Sequence, residues 1–305
     1  MKSFRRFGAV ALLSTVFLAG CGEVDEAMQN IKEEAVQTAD EFVQAAKDEG
    51  NVAVRAADHL ASDTTNKVKD NIRKKGKQLN LTAQREVGAD TVLYIDHKVG
   101  DIKLVPGKGQ TLSVKTTIWA KDDKVFGRIE KEAETSFVSA NGKLEIVTNP
   151  KGKPDVNLWD WSNSKYGTSN FMIDYVVEVP AAMTGFEITN NVGGIQIDNL
   201  KGVYLVNNDV GETVISRAYI QGESRIGSGA GRLQLGISGI AEDGSLKATT
   251  DVGSIDANFE GSIKYTLDAD SDIGPISGAA KGKQDVNGGG PLVTLSSSVG
   301  SITVR

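Results

Sequence analysis

Asp251-Val252-Gly253-Ser254-Ile255 decides how this chain is read, because the same unit returns along it: a polar residue, valine or isoleucine, glycine, any residue, then usually isoleucine. It recurs at Asn191-Val192-Gly193, Asp209-Val210-Gly211, Asp272-Ile273-Gly274 and Ser298-Val299-Gly300. A degenerate copy sits at Gly229-Ala230-Gly231, and an earlier echo, Lys98-Val99-Gly100-Asp101-Ile102, precedes them all. Successive glycines from Gly193 to Gly300 are 18, 20, 22, 21 and 26 residues apart. A near-constant period of this length, with short strands and glycine turns in each unit, marks a solenoid. One such turn cannot bury its apolar side. Stacked at roughly 4.8 Å, successive turns pair their backbones and bring Val192, Val210, Val252, Ile273 and Val299 into one column. Each well-buried aliphatic side chain contributes about 1.5–3 kcal/mol, and the glycine that follows lets the corner take a positive φ.

Working outward, the β texture begins at Thr91, with short alternating runs such as Val92-Leu93-Tyr94-Ile95 and Leu112-Ser113-Val114-Lys115-Thr116, and holds most of the 34 glycines. Upstream, from Glu23 to about Asn80, there is no proline, and after the amino-terminal segment glycine occurs only at Gly50 and Gly76. Val24, Met28, Ile31, Ala35, Ala39, Phe42 and Ala46 recur at steps of three or four, so this stretch is expected to be helical, as one long helix or as two broken near Gly50 or Ser62. Its apolar side is rich in alanine and poor in leucine, which suits a stalk or linker better than an isolated coiled coil. Lys67, Lys69, Arg73, Lys74, Lys75 and Lys77 cluster at its end. They read either as a solvated helix terminus whose cations complement the helix dipole or as a contact for anionic headgroups or another envelope polyanion.

The amino terminus has a basic head of Lys2, Arg5 and Arg6 and an apolar run from Phe7 to Leu18, which is a secretory layout. The run is short of the roughly 20 apolar residues of a spanning helix. Leu18-Ala19-Gly20-Cys21 then closely resembles the lipobox of bacterial lipoproteins, whose cysteine receives a diacylglycerol. Cys21 is the only cysteine, so a disulfide within the chain is impossible. The acyl chains that the resemblance implies would anchor the protein almost permanently, at about 0.8 kcal/mol per buried methylene. Removal of residues 1–20 takes away three positive charges and no negative ones, moving the formal net charge from −6 to −9, which disfavours nucleic acid as a partner. Gly22 after the cysteine, by resemblance to the Gram-negative sorting rule, points to the outer membrane. The expected organisation is a signal peptide at 1–20, a lipid-anchored helical stalk or linker at 21–85 and an all-β domain at 90–305.

Residues of that domain resemble the bacterial adhesin-type β-solenoid domains related to the head GIN domain. The resemblance rests on Tyr175-Val176-Val177-Glu178-Val179-Pro180, on Gly194-Ile195-Gln196-Ile197-Asp198-Asn199-Leu200-Lys201-Gly202, on the valine-glycine units and on Val299-Gly300-Ser301-Ile302-Thr303-Val304, and it spans roughly residues 90–305. It implies a right-handed parallel β-solenoid, in line with the handedness of parallel crossovers. The chain departs from the pattern in its 26-residue last step and in an aromatic insertion near Trp159.

Chemistry-bearing residues are few. His59 and His97 lie far apart and read as surface or turn residues; acylation would consume the thiol of Cys21, and no serine lies in a Gly-x-Ser-x-Gly elbow. No catalysis, metal or cofactor is expected. Asn191, Asp209, Asp251 and Asp272 hold equivalent repeat positions and should form a ladder at one corner, as turn residues bonded to nearby backbone or as a calcium-binding stripe. The turn role is preferred, because the nine-residue glycine-aspartate repeat of calcium-binding β-rolls is absent. Trp159, Asp160, Trp161 and Tyr166 are the candidate surface for a sugar ring or protein partner, or else a cap over the solenoid's open end or flank. The expected function is a non-catalytic binding or adhesion platform tethered to the membrane through lipidated Cys21, facing the periplasm or the cell surface, with an envelope protein or glycan as partner. Its alternatives are a regulatory or assembly factor of the envelope stress response docking a membrane partner, and an enzyme or binder acting on polysaccharide.

Overall fold

The computed structural model describes residues 66, 69–88 and 91–305. The signal segment, Cys21, His59, Lys67 and the stalk up to residue 65 lie outside the described residues. Helical residues 69–75 lead into β1 (Lys77–Glu86), β2 (Val92–Val99), β3 (Ile102–Pro106), β4 (Thr111–Ala120), α1 (Asp123–Glu132), β5 (Ala133–Ala140), β6 (Lys143–Pro150), α2 (Leu158–Tyr166) and β7 (Phe171–Val179). The repeats follow as β8 (Gly185–Val192), β9 (Ile195–Asp198), β10 (Lys201–Val210), β11 (Thr213–Ile220), β12 (Glu223–Ala230), β13 (Leu233–Ile240), β14 (Ser245–Val252) and β15 (Ile255–Phe259). The chain ends with β16 (Tyr265–Ile273), β17 (Ile276–Ser277), β18 (Gly282–Val286), β19 (Leu292–Val299) and β20 (Ile302–Val304). Among the described residues no helix is long and apolar enough to cross a membrane.

Each valine-glycine unit bends the chain from one strand into the next, so every turn contributes one strand to each of two parallel ladders of a continuous sheet. The first ladder runs β6–β2–β8–β10–β12–β14–β19–β16. The second runs β7–β3–β9–β11–β13–β15–β20–β17. Register places Ile95, Ile188, Val206, Ile226, Ala248, Leu295 and Ala269 in one column of the first ladder. In the second, Leu104, Ile197, Ile215, Leu235, Ala257 and Val304 align. Both columns belong to the same buried core, as period-two alternation requires of a strand with one face inward.

The expected valine column is present and begins one turn earlier, running Val99, Val192, Val210, Ala230, Val252, Val299 and Ile273. Its order corrects the expectation of sequential stacking. β19 lies between β14 and β16, and β20 between β15 and β17. The physical reason is β18, which pairs antiparallel with the outer edge of β16 from Tyr265–Val286 to Ala269–Gly282. That edge is filled, and the next strand enters the gap behind it. The 26-residue step in the sequence is the length needed to hold β18 as well as a turn.

Residues 77–86, expected to be part of the helical stalk, form β1, paired antiparallel with all ten residues of β4. Leu79, Leu81 and Ala83 alternate with polar residues and pack on the core, a period of two that the neighbouring helical composition masks. The segment between the first turn and the repeats closes the opposite end of the coil. There β4 and β1 extend one ladder and β5 the other, all antiparallel, while α1 buries Val125 and Ile129 and α2 buries Leu158, Trp159 and Trp161.

Candidate functional site

The aromatic segment forms α2, capped by the Asn157 side chain, which accepts the Asp160 N–H at 2.8 Å, and ended by Gly167 at φ 67°. The helix turns its tryptophans inward. Trp159 is 4% exposed, stacks on Phe171 with centroids 5.9 Å apart, and donates Nε1–H to the Phe171 carbonyl at 3.3 Å. Trp161 is 9% exposed and meets Tyr166 edge-on, with Lys165 over its ring and Arg128 over Tyr166. Asp160 is exposed and paired with Lys98. Trp159 is thus enclosed by the core, while Trp161 lies at its border under Lys165.

His97, expected at a surface or turn, is fully buried. It sits edge-on to Trp159 and Tyr175, at 5.1 and 5.0 Å, with Nδ1 2.9 Å from Asn190 Oδ1. Its placement follows from alternation: His97 lies two residues before Val99 and faces inward with it. Burial lowers its pKa below the ordinary 6.5, partly opposed by the Asn190 hydrogen bond and the charges of Asp174 and Asp101. The unfolded chain therefore takes up this proton first as pH falls below 6.5, and the stability contributed by neutral His97 is lost from there down to its folded pKa. In an NMR titration, with His59→Gln used for assignment, the His97 ring signals should stay unshifted through pH 6.5; a midpoint at 6.5 would contradict its burial.

Asn191, Asp209, Asp251 and Asp272 hold equivalent corner positions in the stacked turns, with two other residues interleaved. They face outward, one position before the valine column, with Asn191 and Asp209 half-buried and Asp251 and Asp272 exposed. In stacking order Gly229 stands between Asp209 and Asp251, and Ser298 between Asp251 and Asp272. Asn207 Nδ2 donates to Asp209 at 3.1 Å. Among the described residues no three His, Cys, Asp or Glu side chains gather where they could hold a metal ion. The continuous polar ladder lies one residue earlier and points inside: His97, Asn190, Asn208, Ser228, Thr250, Ser297 and Ser271, all buried. Asn190, Asn208, Thr250, Ser297 and Ser271 donate to the carbonyls of Gly100, Gly193, Gly231, Gly253 and Gly300 at 2.8–3.4 Å. Buried polar groups need such partners, so these side chains serve the corner.

The strongest cluster of charge is one that motif reading missed. Lys69 Nζ lies 2.6 Å from Asp101 Oδ1, and Arg73 reaches Asp101 at 2.6 Å and Asp174 at 3.0 Å. Asp174 also accepts Trp119 Nε1–H and the Asp101 N–H, both at 2.9 Å, while Asp101 accepts the Gly194 N–H at 2.7 Å. Between the two cations Ile72 joins a small apolar cluster with Met172 and with Val99, Val192 and Val210, the first part of the valine column. A cleft of about 400 Å³ opens beside them, lined also by Lys103, Gln196 and Glu212. The basic cluster thus divides. Lys69 and Arg73 dock on the coil, Lys74 pairs with Asp70, and Lys77 with Asp123. One signal was available, a lone carboxylate in the apolar run Phe171-Met172-Ile173-Asp174-Tyr175-Val176-Val177.

Burial would raise the pKa of Asp101, but the charge of Lys69 and the hydrogen bonds from Lys69, Arg73 and Gly194 outweigh it and hold it below the ordinary 3.8. Burial also opposes the charge of Arg73, and its bond to Asp101 and the two carboxylate charges overcome that and raise its pKa. The pairing of Asp101 therefore contributes stability above pH 3.8 that is lost as pH falls through its lower folded value. Asp101→Ala should cost about 1–2 kcal/mol, discounted for partial exposure, and should speed tryptic cleavage at Lys69 and Arg73. Unchanged cleavage would mean that the ion pairs do not hold this segment.

No family model matches the chain, and no curated protein matches it. Among solved structures, it is similar to a candidate cell adhesion protein from Clostridium sporogenes at 17% identity, over 75% of this chain and 99% of that one, with a TM-score of 0.42. It is also similar to a candidate adhesin from Bacteroides fragilis, at 17% identity over 74% and 97% of the two chains and a TM-score of 0.31. A third, a candidate adhesin from Parabacteroides distasonis, is 10% identical over 75% and 98%, with a TM-score of 0.28.

Proposed function

We propose that this protein is a lipid-anchored component of the bacterial cell envelope, in which a right-handed β-solenoid, carried on a helical stalk that begins at acylated Cys21, acts as a non-catalytic platform for binding or adhesion. The observation that carries the reading is the docking of residues 69–75. Lys69, Arg73 and Ile72 tie the described part of the expected stalk to the first turns of the coil. A body displayed from an anchor needs such a junction, since a free hinge there would let the solenoid lie in any orientation on the membrane. Leu18-Ala19-Gly20-Cys21 supports the anchor, and Gly22 supports sorting to the outer membrane. The long ladders support the platform, because stacked turns give a stiff outer surface on which a flat partner, protein or glycan, can lie.

The test is acylation and exposure. The wild-type chain should incorporate labelled palmitate and sediment with outer membranes, and Cys21→Ser should lose both. Protease shaving of intact cells should remove the coil if it meets partners outside the cell, and should spare it if they lie in the periplasm. Label retained in Cys21→Ser, or a wild-type protein free of membranes, would end the anchor reading. Glycan hydrolysis by the purified chain would end the non-catalytic one.

A further inference from the structure

We infer that the gap filled by β19 and β20 is a strand-acceptor site that takes the same segment, Leu292–Val304, from a second copy of this chain. The two turns that form the gap, β14–β15 and β16–β17, are joined to each other through residues 260–264, without help from the segment between them. The segment itself connects to the rest through residues 287–291, Asn-Gly-Gly-Gly-Pro, of which Asn287, Gly288 and Gly290 are exposed. Its hold on the gap is a backbone zipper on both sides. Gly253 N–H donates to the Val299 carbonyl and Gly300 N–H to the Ile273 carbonyl, both at 2.9 Å; Ile255 N–H donates to Ser301 at 2.9 Å and Ile302 N–H to Pro275 at 3.0 Å. Val293, Leu295, Val299 and Ile302 are fully buried between the flanking turns, and Ser297 bonds the Gly253 carbonyl.

This is the geometry of β-strand addition, in which backbone bonds hold the strand and alternate side chains select it. It differs in having a partner strand on both sides. The gap also persists for a physical reason. Direct stacking of β16 on β14 would leave β19 to pair with the outer edge of β16, which β18 already fills. A segment on a short glycine-rich hinge, held in its gap by one strand pair on each side, is suited to exchange between copies. The hinge reaches at most about 17 Å when extended, so exchanging copies must lie side by side.

Lys247 and Thr294 are register partners on the outer face of β14 and β19, so a cysteine pair there reports whose strand fills the gap. All variants carry Cys21→Ser. The single chain bearing Lys247→Cys and Thr294→Cys should form an internal disulfide, which verifies the register. Copies bearing Lys247→Cys alone, mixed with copies bearing Thr294→Cys alone and refolded together from urea, should then give disulfide-linked dimers whose share rises with protein concentration. Thr189→Cys, on the same outer face of β8 but four strands from β19 in the ladder, should give none with Lys247→Cys. An internal disulfide without dimers would overturn the inference, as would dimers formed equally with Thr189→Cys or failure of the internal disulfide.

Discussion

Gly211→Val is expected to remove most of the coil's stability. Gly211 adopts φ 134°, and a β-carbon built there would lie 2.0 Å from the Gly193 carbonyl oxygen. That position is one step in a ladder: Gly193 stands in the same relation to Gly100, Gly231 to Gly211, Gly253 to Gly231, Gly300 to Gly253 and Gly274 to Gly300, each at 1.7–2.0 Å. A branched residue must therefore strain its own backbone, at about 1–3 kcal/mol, and also push two turns apart. Separation weakens the 2.9 Å bonds from Gly193 N–H to Val210 and from Gly211 N–H to Ala230 and loosens the buried columns on both sides. The combined loss should be roughly 4–6 kcal/mol, a large share of the 5–15 kcal/mol that a folded domain typically has. Urea unfolding followed by far-ultraviolet circular dichroism measures it. Gly261→Ala, at a glycine with nothing within 4 Å of the added carbon, should stay within about 0.5 kcal/mol of the parent. If Gly211→Val unfolds at the parent midpoint, close approach at the corner is not what sets the repeat.

Trp159→Ala should cost about 3–5 kcal/mol, the range for emptying a large aromatic site in a packed core. Trp159 closes the end of the coil between Phe171 and His97, and few neighbours can collapse into its place, because the strands around it are paired on both sides. Trp161 borders solvent, with Lys165 across its ring, so Trp161→Ala should cost less. The two substitutions separate a cap from a recognition surface. A cap predicts a lowered urea midpoint and loss of the near-ultraviolet tryptophan signal. A recognition surface predicts an unchanged midpoint with lost partner binding. The cap also predicts a second effect: with the indole gone, water reaches His97 and its ring returns toward an ordinary titration near 6.5, which the same NMR measurement detects.

How far the sequence could be read depends on which interactions are local. The valine-glycine units were legible because a corner that only glycine tolerates, followed by an inward isoleucine, must recur wherever the chain turns. The echo at Val99-Gly100 was legible for the same reason, and it is the first turn of the column. His97 was misjudged because its environment is made by Trp159, Tyr175 and Asn190, which lie 62 or more residues away. β1 was misjudged because its alternation is short and its partner, β4, follows a full turn of the coil. The charged cluster was not legible because Asp101 and Asp174, 73 residues apart, meet only after β3 and β7 pair.

Composition and spacing alone settled that this is a repeating β chain with one strand face inward and a glycine at each corner, because those properties belong to single residues and their immediate neighbours. Tertiary structure alone decided the order of the last turns. Val252, Val299 and Ile273 are interchangeable in their columns, so no local preference distinguishes β14–β16–β19 from β14–β19–β16. The choice fell to β18, whose antiparallel pairing with β16 removes one of the two edges on which the following strand could have landed.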